Sequence, residues 1–326
     1  MTPTAGSSRN TKQGGATAAA RRRATAKERA EAERRAERRK RQIAWSGAAL
    51  AVLVVAGGGI YLAARNSGSS GTSAGSSSSA PVVGGDLHTV TVIGNRLFVG
   101  GHAAVAVSRD GGKQWKDVSS LQGADAMGWA QTPDAVLVGG HPGLFRSTDG
   151  GATFTKVTGA GAVADAHALG GTGKTLYVGS PQSGLLASTD GGLTWKVRNA
   201  QAGRSMMGSI LVDPADPAEL IAPDMSEGMM SSSDGGRTWK SLGGPMGAMA
   251  AAWNPKDTQQ IIAAGMNGAE LSTDGGTTWK QADLPQGASA VAYAPDGKTL
   301  YAGVLDGQSA RVYRSTDGGT TWKATA

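Results

Sequence analysis

One nine-residue phrase recurs six times in this chain and constrains its fold more than any other feature. STDGGTTWK stands at Ser315–Lys323 and at Ser272–Lys280, SSDGGRTWK at Ser232–Lys240 and STDGGLTWK at Ser188–Lys196. Looser copies are STDGGATFT at Ser147–Thr155 and SRDGGKQWK at Ser108–Lys116. The phrase aspartates Asp110, Asp149, Asp190, Asp234, Asp274 and Asp317 are separated by 39, 41, 44, 40 and 43 residues. A period near 40 that survives so often marks a repeat architecture, in which each unit buries its apolar face against its neighbours.

Every unit has the same internal series. In the first, LHTVTVIG, RLFVGG and AAVAVS precede the phrase and WKDV follows its turn; in the third the runs are DAHALGG, TLYVGS, GLLAS and TWKV. Three short β runs, a glycine turn and a fourth run make four strands per unit. Six such units over residues 86–326 predict an all-β, six-bladed β-propeller with four-stranded antiparallel blades. An open solenoid would need capping units, and none is visible. Whether Val82–Val83 adds to a neighbouring blade is left open by the pattern.

The phrase itself is turn chemistry. An aspartate carboxylate accepts backbone N–H bonds within its own turn, glycine accepts positive φ, and Ser and Thr hydroxyls tie the turn's ends. The aromatic five residues after each aspartate (Trp115, Phe154, Trp195, Trp239, Trp279, Trp322) is placed to open the outer strand and cover the seam between blades. One carboxylate per turn supplies too few ligands for calcium.

These residues resemble the Asp-box, or BNR, repeat (S-x-D-x-G-x-T-W) of sialidases, the sortilin ectodomain and photosystem II assembly-factor propellers, and of bacterial exported proteins labelled sialidase-like. The resemblance covers residues 86–326 and implies a propeller whose boxes lie between third and fourth strands, away from the active face. The sialidase machinery it could imply is an arginine triad, a Tyr nucleophile with a Glu partner, an Asp acid/base and an Arg-Ile-Pro motif. No Arg-Ile-Pro occurs here, and the domain has three glutamates, Glu219, Glu227 and Glu270. Tyr177, Tyr293, Tyr301 and Tyr313 all sit inside apolar strand runs. The carboxylates left for a glycosidase are Asp86, Asp125 and Asp165, at matching places before innermost strands, where Asp equally serves a strand-opening turn.

The net charge of +7 belongs to one end of the chain. Residues 1–42 carry 13 Lys/Arg against 4 Asp/Glu, a net of +9, whereas residues 66–326 carry 18 against 21, a net of −3. The repeat domain therefore lacks the basic footprint of a nucleic-acid binder. Residues 1–42 read as a cytoplasmic basic tail, disordered at first and helical over Ala24–Gln42, with Arg34–Arg41 suited to anionic lipid heads. Ile43–Ala64 is 22 residues without a charge, enough for a transmembrane helix, and the basic flank sets it N-in/C-out. Both the leader and the apolar run are long for a cleaved signal peptide. Residues 65–85 form a Gly/Ser-rich tether. The propeller is thus expected outside the cytoplasm on a single-pass anchor, and the lack of cysteine removes disulfides and thiolate metal sites.

Counting back from each box aspartate exposes a second pattern. One position on the innermost strand is filled in turn by His88, Met127, His167, Met207, Met249 and Ala290. Eight residues before the box aspartate, between second and third strands, stand His102, His141, Gln182, Ser226, Met266 and Ser309. In a propeller both positions belong to the face opposite the boxes, the first lining the central channel. All four histidines fall in these sets. Imidazole with thioether and no thiolate is a soft donor set that suits Cu(I) at His88, His102, His141 and His167; equally, Met fills irregular gaps near a narrow axis and His lines a wet mouth. The expected function is a non-catalytic binding or scaffold module for a protein or glycan ligand, with a sialidase-like glycoside hydrolase and a copper-binding protein as alternatives.

Overall fold

Short apolar runs broken by glycine turns have no length for helices, and the chain folds as the runs dictate. The structure is a computed structural model that describes residues 78–326. Blade 1 contains β1 (Leu87–Ile93), β2 (Arg96–Gly101), β3 (Val105–Ser108) and β4 (Lys116–Asp117), and blade 2 contains β5 (Gly128–Gln131), β6 (Val136–Gly140), β7 (Gly143–Ser147) and β8 (Thr155–Lys156). Blade 3 has β9 (Ala168–Thr172), β10 (Thr175–Ser180), β11 (Gly184–Ser188) and β12 (Lys196–Asn199). Blade 4 has β13 (Gly208–Ser209), β14 (Leu211–Val212), β15 (Leu220–Asp224), β16 (Gly228–Ser232) and β17 (Lys240–Gly243). Blade 5 has β18 (Ala248–Asn254), β19 (Asp257–Gly265), β20 (Gly268–Ser272) and β21 (Lys280–Ala282), and blade 6 has β22 (Ala288–Tyr293), β23 (Leu300–Asp306), β24 (Ser309–Ser315) and β25 (Lys323–Ala324). Each blade is an antiparallel meander in chain order, so the chain is a six-bladed, all-β propeller of four-stranded antiparallel blades.

Blade 4 departs from the regular pattern. Its inner run breaks at Ile210: β13 pairs in parallel with β9 of blade 3, and only β14 pairs with β15. Glycine permits this crowding. Gly208 sits at φ +67°, and a Cβ on it would come 2.6 Å from the Met249 carbonyl oxygen. A Cβ on Gly128 of blade 2 would stand 2.7 Å from the Gly208 carbonyl. At this level the backbones of blades 2 and 4 meet, which narrows the channel expected along the axis.

The core is divided among six apolar clusters, one in each seam between neighbouring blades. Trp115 joins blade 1 to blade 6, Phe154 joins blades 1 and 2, and Trp195 joins blades 2 and 3. Trp239, Trp279 and Trp322 do the same for the seams 3–4, 4–5 and 5–6. Six seams for six blades is the signature of a closed ring. The outer strand starts one residue after the aromatic in all six units, which leaves the ring to fill the seam.

Closure recruits part of the tether. Val82 bridges to Ser309 of blade 6, the Val83 and Gly84 N–H groups donate to the Gln308 carbonyl (2.9 and 3.1 Å), and the Ala310 N–H donates to that of Pro81 (2.9 Å). Ser78 and Trp115 exchange two backbone hydrogen bonds, and Val83 is fully buried. The ring thus takes in residues that composition alone assigns to the linker. Among the described residues no helix is long and apolar enough to cross a membrane. The basic tail, the Ile43–Ala64 run and the first part of the tether lie outside the described residues.

Candidate functional site

The turns between the third and fourth strands repeat one hydrogen-bond pattern. In all six the Ser hydroxyl donates to the Asp Oδ1, at 2.6–2.8 Å, and accepts the N–H of the second glycine. The same Oδ1 accepts the amide four residues on. In five, a threonine hydroxyl four residues on donates to Oδ2; Asp110 has Gln114 there and lacks this bond. These donors hold the carboxyls below their usual range, Asp274 and Asp317 at about 2, with the Thr278 and Thr321 hydroxyls the largest cause. In five of the six turns both carboxylate oxygens are used inside the turn, and in the sixth Asp110 Oδ1 is, which is the work of a structural turn.

In an antiparallel meander alternate turns lie at opposite ends. The boxes share one end with the β1–β2 type turns. The β2–β3 type turns and the connections between blades share the other, and there the histidines and two of the aspartates gather.

Glycine pairs bring them together. Gly100-Gly101 ends β2 just before His102, and Gly139-Gly140 ends β6 just before His141. A Cβ on Gly140 would collide with the Asp125 carbonyl, and one on Gly139 would lie 2.9 Å from the Ala166 Cβ. The Asp125 N–H accordingly reaches the His141 carbonyl (2.8 Å), and the Ala166 N–H reaches that of Gly140 (3.2 Å). Asp125 and Asp165 become buried behind half-exposed imidazoles.

His141 Nδ1 donates to Asp125 Oδ2 at 2.9 Å. Its Nε2 stands 3.1 Å from Asp165 Oδ1, and His167 Nε2 stands 3.0 Å from the same oxygen. Neither approach has hydrogen-bond angles, and both Asp165 Oδ1 and His167 Nε2 are buried without a partner. On the other side, His102 Nδ1 lies 3.4 Å from Asp125 Oδ1, and the buried His88 Nε2 also has no partner. The donor atoms of His141, Asp165 and His167 lie within 4.8 Å of one another, as do those of His88, His102 and Asp125. Burial pushes His88 and His167 below the ordinary imidazole range, while the hydrogen bond to Asp125 pushes His141 up.

The remaining candidates are placed differently. Asp86 is half exposed at the opening of β1, its Oδ1 accepting the Leu87 N–H and its Oδ2 3.9 Å from His88 Nε2. Met127 is buried, and Met207 and Met249 are partly so. Met266 is 72% exposed and lies across Gly247. Tyr177 is buried with its hydroxyl donating to the Pro217 carbonyl. A cleft of about 600 Å3 between blades 1 and 6 at the box end contains Asp110, Tyr301, Arg314 and Lys323, and its one carboxylate is held in its own turn through Oδ1. The grouping of Asp125 and Asp165 with the histidines was not read from the sequence. Its signal is the doubled series GGH followed 23 or 24 residues later by DA.

The BNR/Asp-box repeat family model matches residues 313–324, the turn and flanking strands of blade 6. The chain carries the BNR/Asp-box repeat. The other five turns share the serine and backbone bonds of that box. No curated protein matches it in sequence. Among solved structures, the GH74 xyloglucanase of Xanthomonas campestris is similar at a TM-score of 0.51 and 18% identity, covering 77% of this chain and 47% of that one. The GH74 enzyme of Niastella koreensis is similar at 0.49 and 16%, covering 75% and 55%. YCF48 from Cyanidioschyzon merolae is similar at 0.47 and 17%, covering 77% and 88%. The chain spans about half the length of the two GH74 proteins, and at 18% identity the likeness to the Xanthomonas enzyme is one of fold.

Proposed function

We propose that this Asp-box propeller is a non-catalytic binding module held outside the cytoplasm by the Ile43–Ala64 anchor, and that it takes a protein ligand on the face opposite its boxes. One observation carries the reading. Exposed methionines of blades 4 and 5, Met225, Met246 and Met266, share the end of the ring where the imidazoles of blades 1–3 cluster. Thioether side chains are adaptable and suit apolar side chains of a polypeptide. Among the described residues none of the exposed large apolar side chains is aromatic, so this surface offers no stacking platform for sugar rings. Of the two carboxylates a glycosidase would need, Asp125 is bonded to His141 and Asp165 is buried behind His141 and His167.

Photo-crosslinking in the native membrane tests this reading. A photoreactive residue at position 225, 246 or 266 is expected to give a discrete protein adduct, and one at Thr277 on the box face none. Equal labelling from both faces, or release of fluorogenic glycosides that is lost on Asp165→Asn, overturns it. Protease digestion of sealed cells tests the topology: the propeller should be cut from outside and residues 1–42 protected.

A further inference from the structure

We propose that His141 Nε2, Asp165 Oδ1 and His167 Nε2 form a binding site for one divalent first-row transition cation, with zinc the expected occupant, and that Asp125 positions His141 in it. This goes beyond the ligand-binding reading and stands independently of it.

The geometry has the dimensions of a metal site. A tetrahedral ion with ligands at about 2.0–2.1 Å separates its ligand atoms by about 3.3 Å. Here the carboxylate oxygen lies 3.1 and 3.0 Å from the two imidazole nitrogens. A hydrogen-bonded trio would aim a proton along each of these short lines, and none is so aimed. A buried oxygen and a buried nitrogen without partners are costly unless something supplies them. A cation does, by accepting a lone pair from each.

The surroundings fix the donors in the form a metal requires. Asp125 Oδ2 accepts the Nδ1 proton of His141, which leaves Nε2 as the lone-pair nitrogen. A carboxylate behind a ligating imidazole is the usual outer support of such sites. Half-exposed His141 provides a path from solvent. The three donors come from two turns and the opening of β9, all held by backbone bonds between adjacent blades.

Donor chemistry sets the metal class. Two imidazoles and a carboxylate form a borderline set that suits Zn2+ and its first-row neighbours, whereas Mg2+ and Ca2+ take oxygen shells. The carboxylate shifts the set away from the soft one that Cu(I) prefers, and Met266 points to solvent.

The test uses the full chain in detergent, stripped with a chelator and titrated with Zn2+ against a chromophoric competitor, and separately with Co2+ for its visible spectrum. One equivalent of Zn2+ bound at micromolar or tighter is expected, with an intense tetrahedral cobalt band and no displacement by millimolar Mg2+ or Ca2+. Asp165→Asn with His167→Ala should abolish binding, and Asp125→Asn should weaken it by about 10- to 100-fold. His102→Ala, outside the trio, should leave it unchanged. Circular dichroism melts of each variant separate lost ligation from lost fold; if the double variant unfolds, His141→Ala carries the test. Absence of zinc binding, Cu(I) binding without zinc binding, or binding that survives Asp165→Asn in a folded protein overturns the proposal.

Discussion

Asp125 and His141 are joined twice where the β5–β6 pairing of blade 2 ends: the Asp125 N–H donates to the His141 carbonyl at 2.8 Å, and His141 Nδ1 donates to Asp125 Oδ2 at 2.9 Å. The backbone bond sets the distance between the two turns, and the side-chain bond uses it. His102 approaches the other oxygen of the same carboxylate at 3.4 Å and is 58% exposed. Removing each imidazole should therefore have unequal effects. His141→Ala leaves a buried carboxylate short of its donor and should cost about 2 kcal/mol in metal-free protein. His102→Ala should cost less than about 0.5 kcal/mol. Urea denaturation with excess chelator measures both, and equal costs would mean that Asp125 does not depend on His141.

Gly140 decides whether that pairing can form. Its φ is not in the left-handed region, so an alanine there is not strained by its backbone. The added methyl group would meet the Asp125 carbonyl, and backbone cannot move aside as a side-chain tip can. Gly140→Ala should destabilise by about 1–3 kcal/mol and shift the His141 and His167 ring resonances. Gly94, at φ +61° with open space around it, provides the contrast. Gly94→Asn should be nearly silent, because asparagine tolerates that conformation. Nuclear magnetic resonance of the imidazole protons, read beside urea midpoints, distinguishes local collision from general loss of stability.

The blades were legible in the sequence because their signals are local. A box every 40 residues or so, with apolar runs between, defines strands and ring without reference to distant residues. The site was legible in halves. The histidines stand out once the units are aligned, but Asp125 and Asp165 read equally as glycosidase carboxylates or strand-opening turns, because nothing local ties them to histidines 16 or more positions away. Only the stacking of Gly139-Gly140 under the next blade brings them together. The break in the inner strand at Ile210 and the contact of Gly128 with Gly208 had no local signal either, since both arise from neighbouring strands crowding at the axis.

Acid should weaken the ring through its boxes. The Asp274 and Asp317 carboxyls titrate at about 2 when folded, against 3.8 ordinarily. A depressed folded value means that the folded state holds its charge longer than the unfolded chain does. That contribution is complete above about pH 5 and is lost as the pH falls from the unfolded value towards the folded one, between about 5 and 2. Asp110, Asp149, Asp190 and Asp234 shift in the same direction. The melting temperature should fall steadily over that window, and Asp317→Asn should flatten the dependence in proportion to one box. A melting temperature unchanged from pH 5 to pH 3 would mean that the box bonds add nothing to folding.

The seam that closes the ring is built differently from the other five, and truncation can show it. Trp115 is 1% exposed and belongs to the apolar cluster that also holds Leu97 and Tyr301, and the Ser78–Gly84 segment bonds to the same pair of blades. Trp322, in the seam between blades 5 and 6, is only partly buried. Trp115→Ala should cost about 3–5 kcal/mol, because the seam cannot collapse around the void, and Trp322→Ala should cost less. Deleting residues 1–84 removes Val83 and the backbone bonds to Gln308 and Ala310; deleting residues 1–76 removes none of them. The shorter deletion should match the parent repeat domain in thermal unfolding, while the longer one should melt several degrees lower and exchange the amides of β22 and β24 faster. Equal melting temperatures for the two deletions would place the closure wholly in the contacts of β1 with β22.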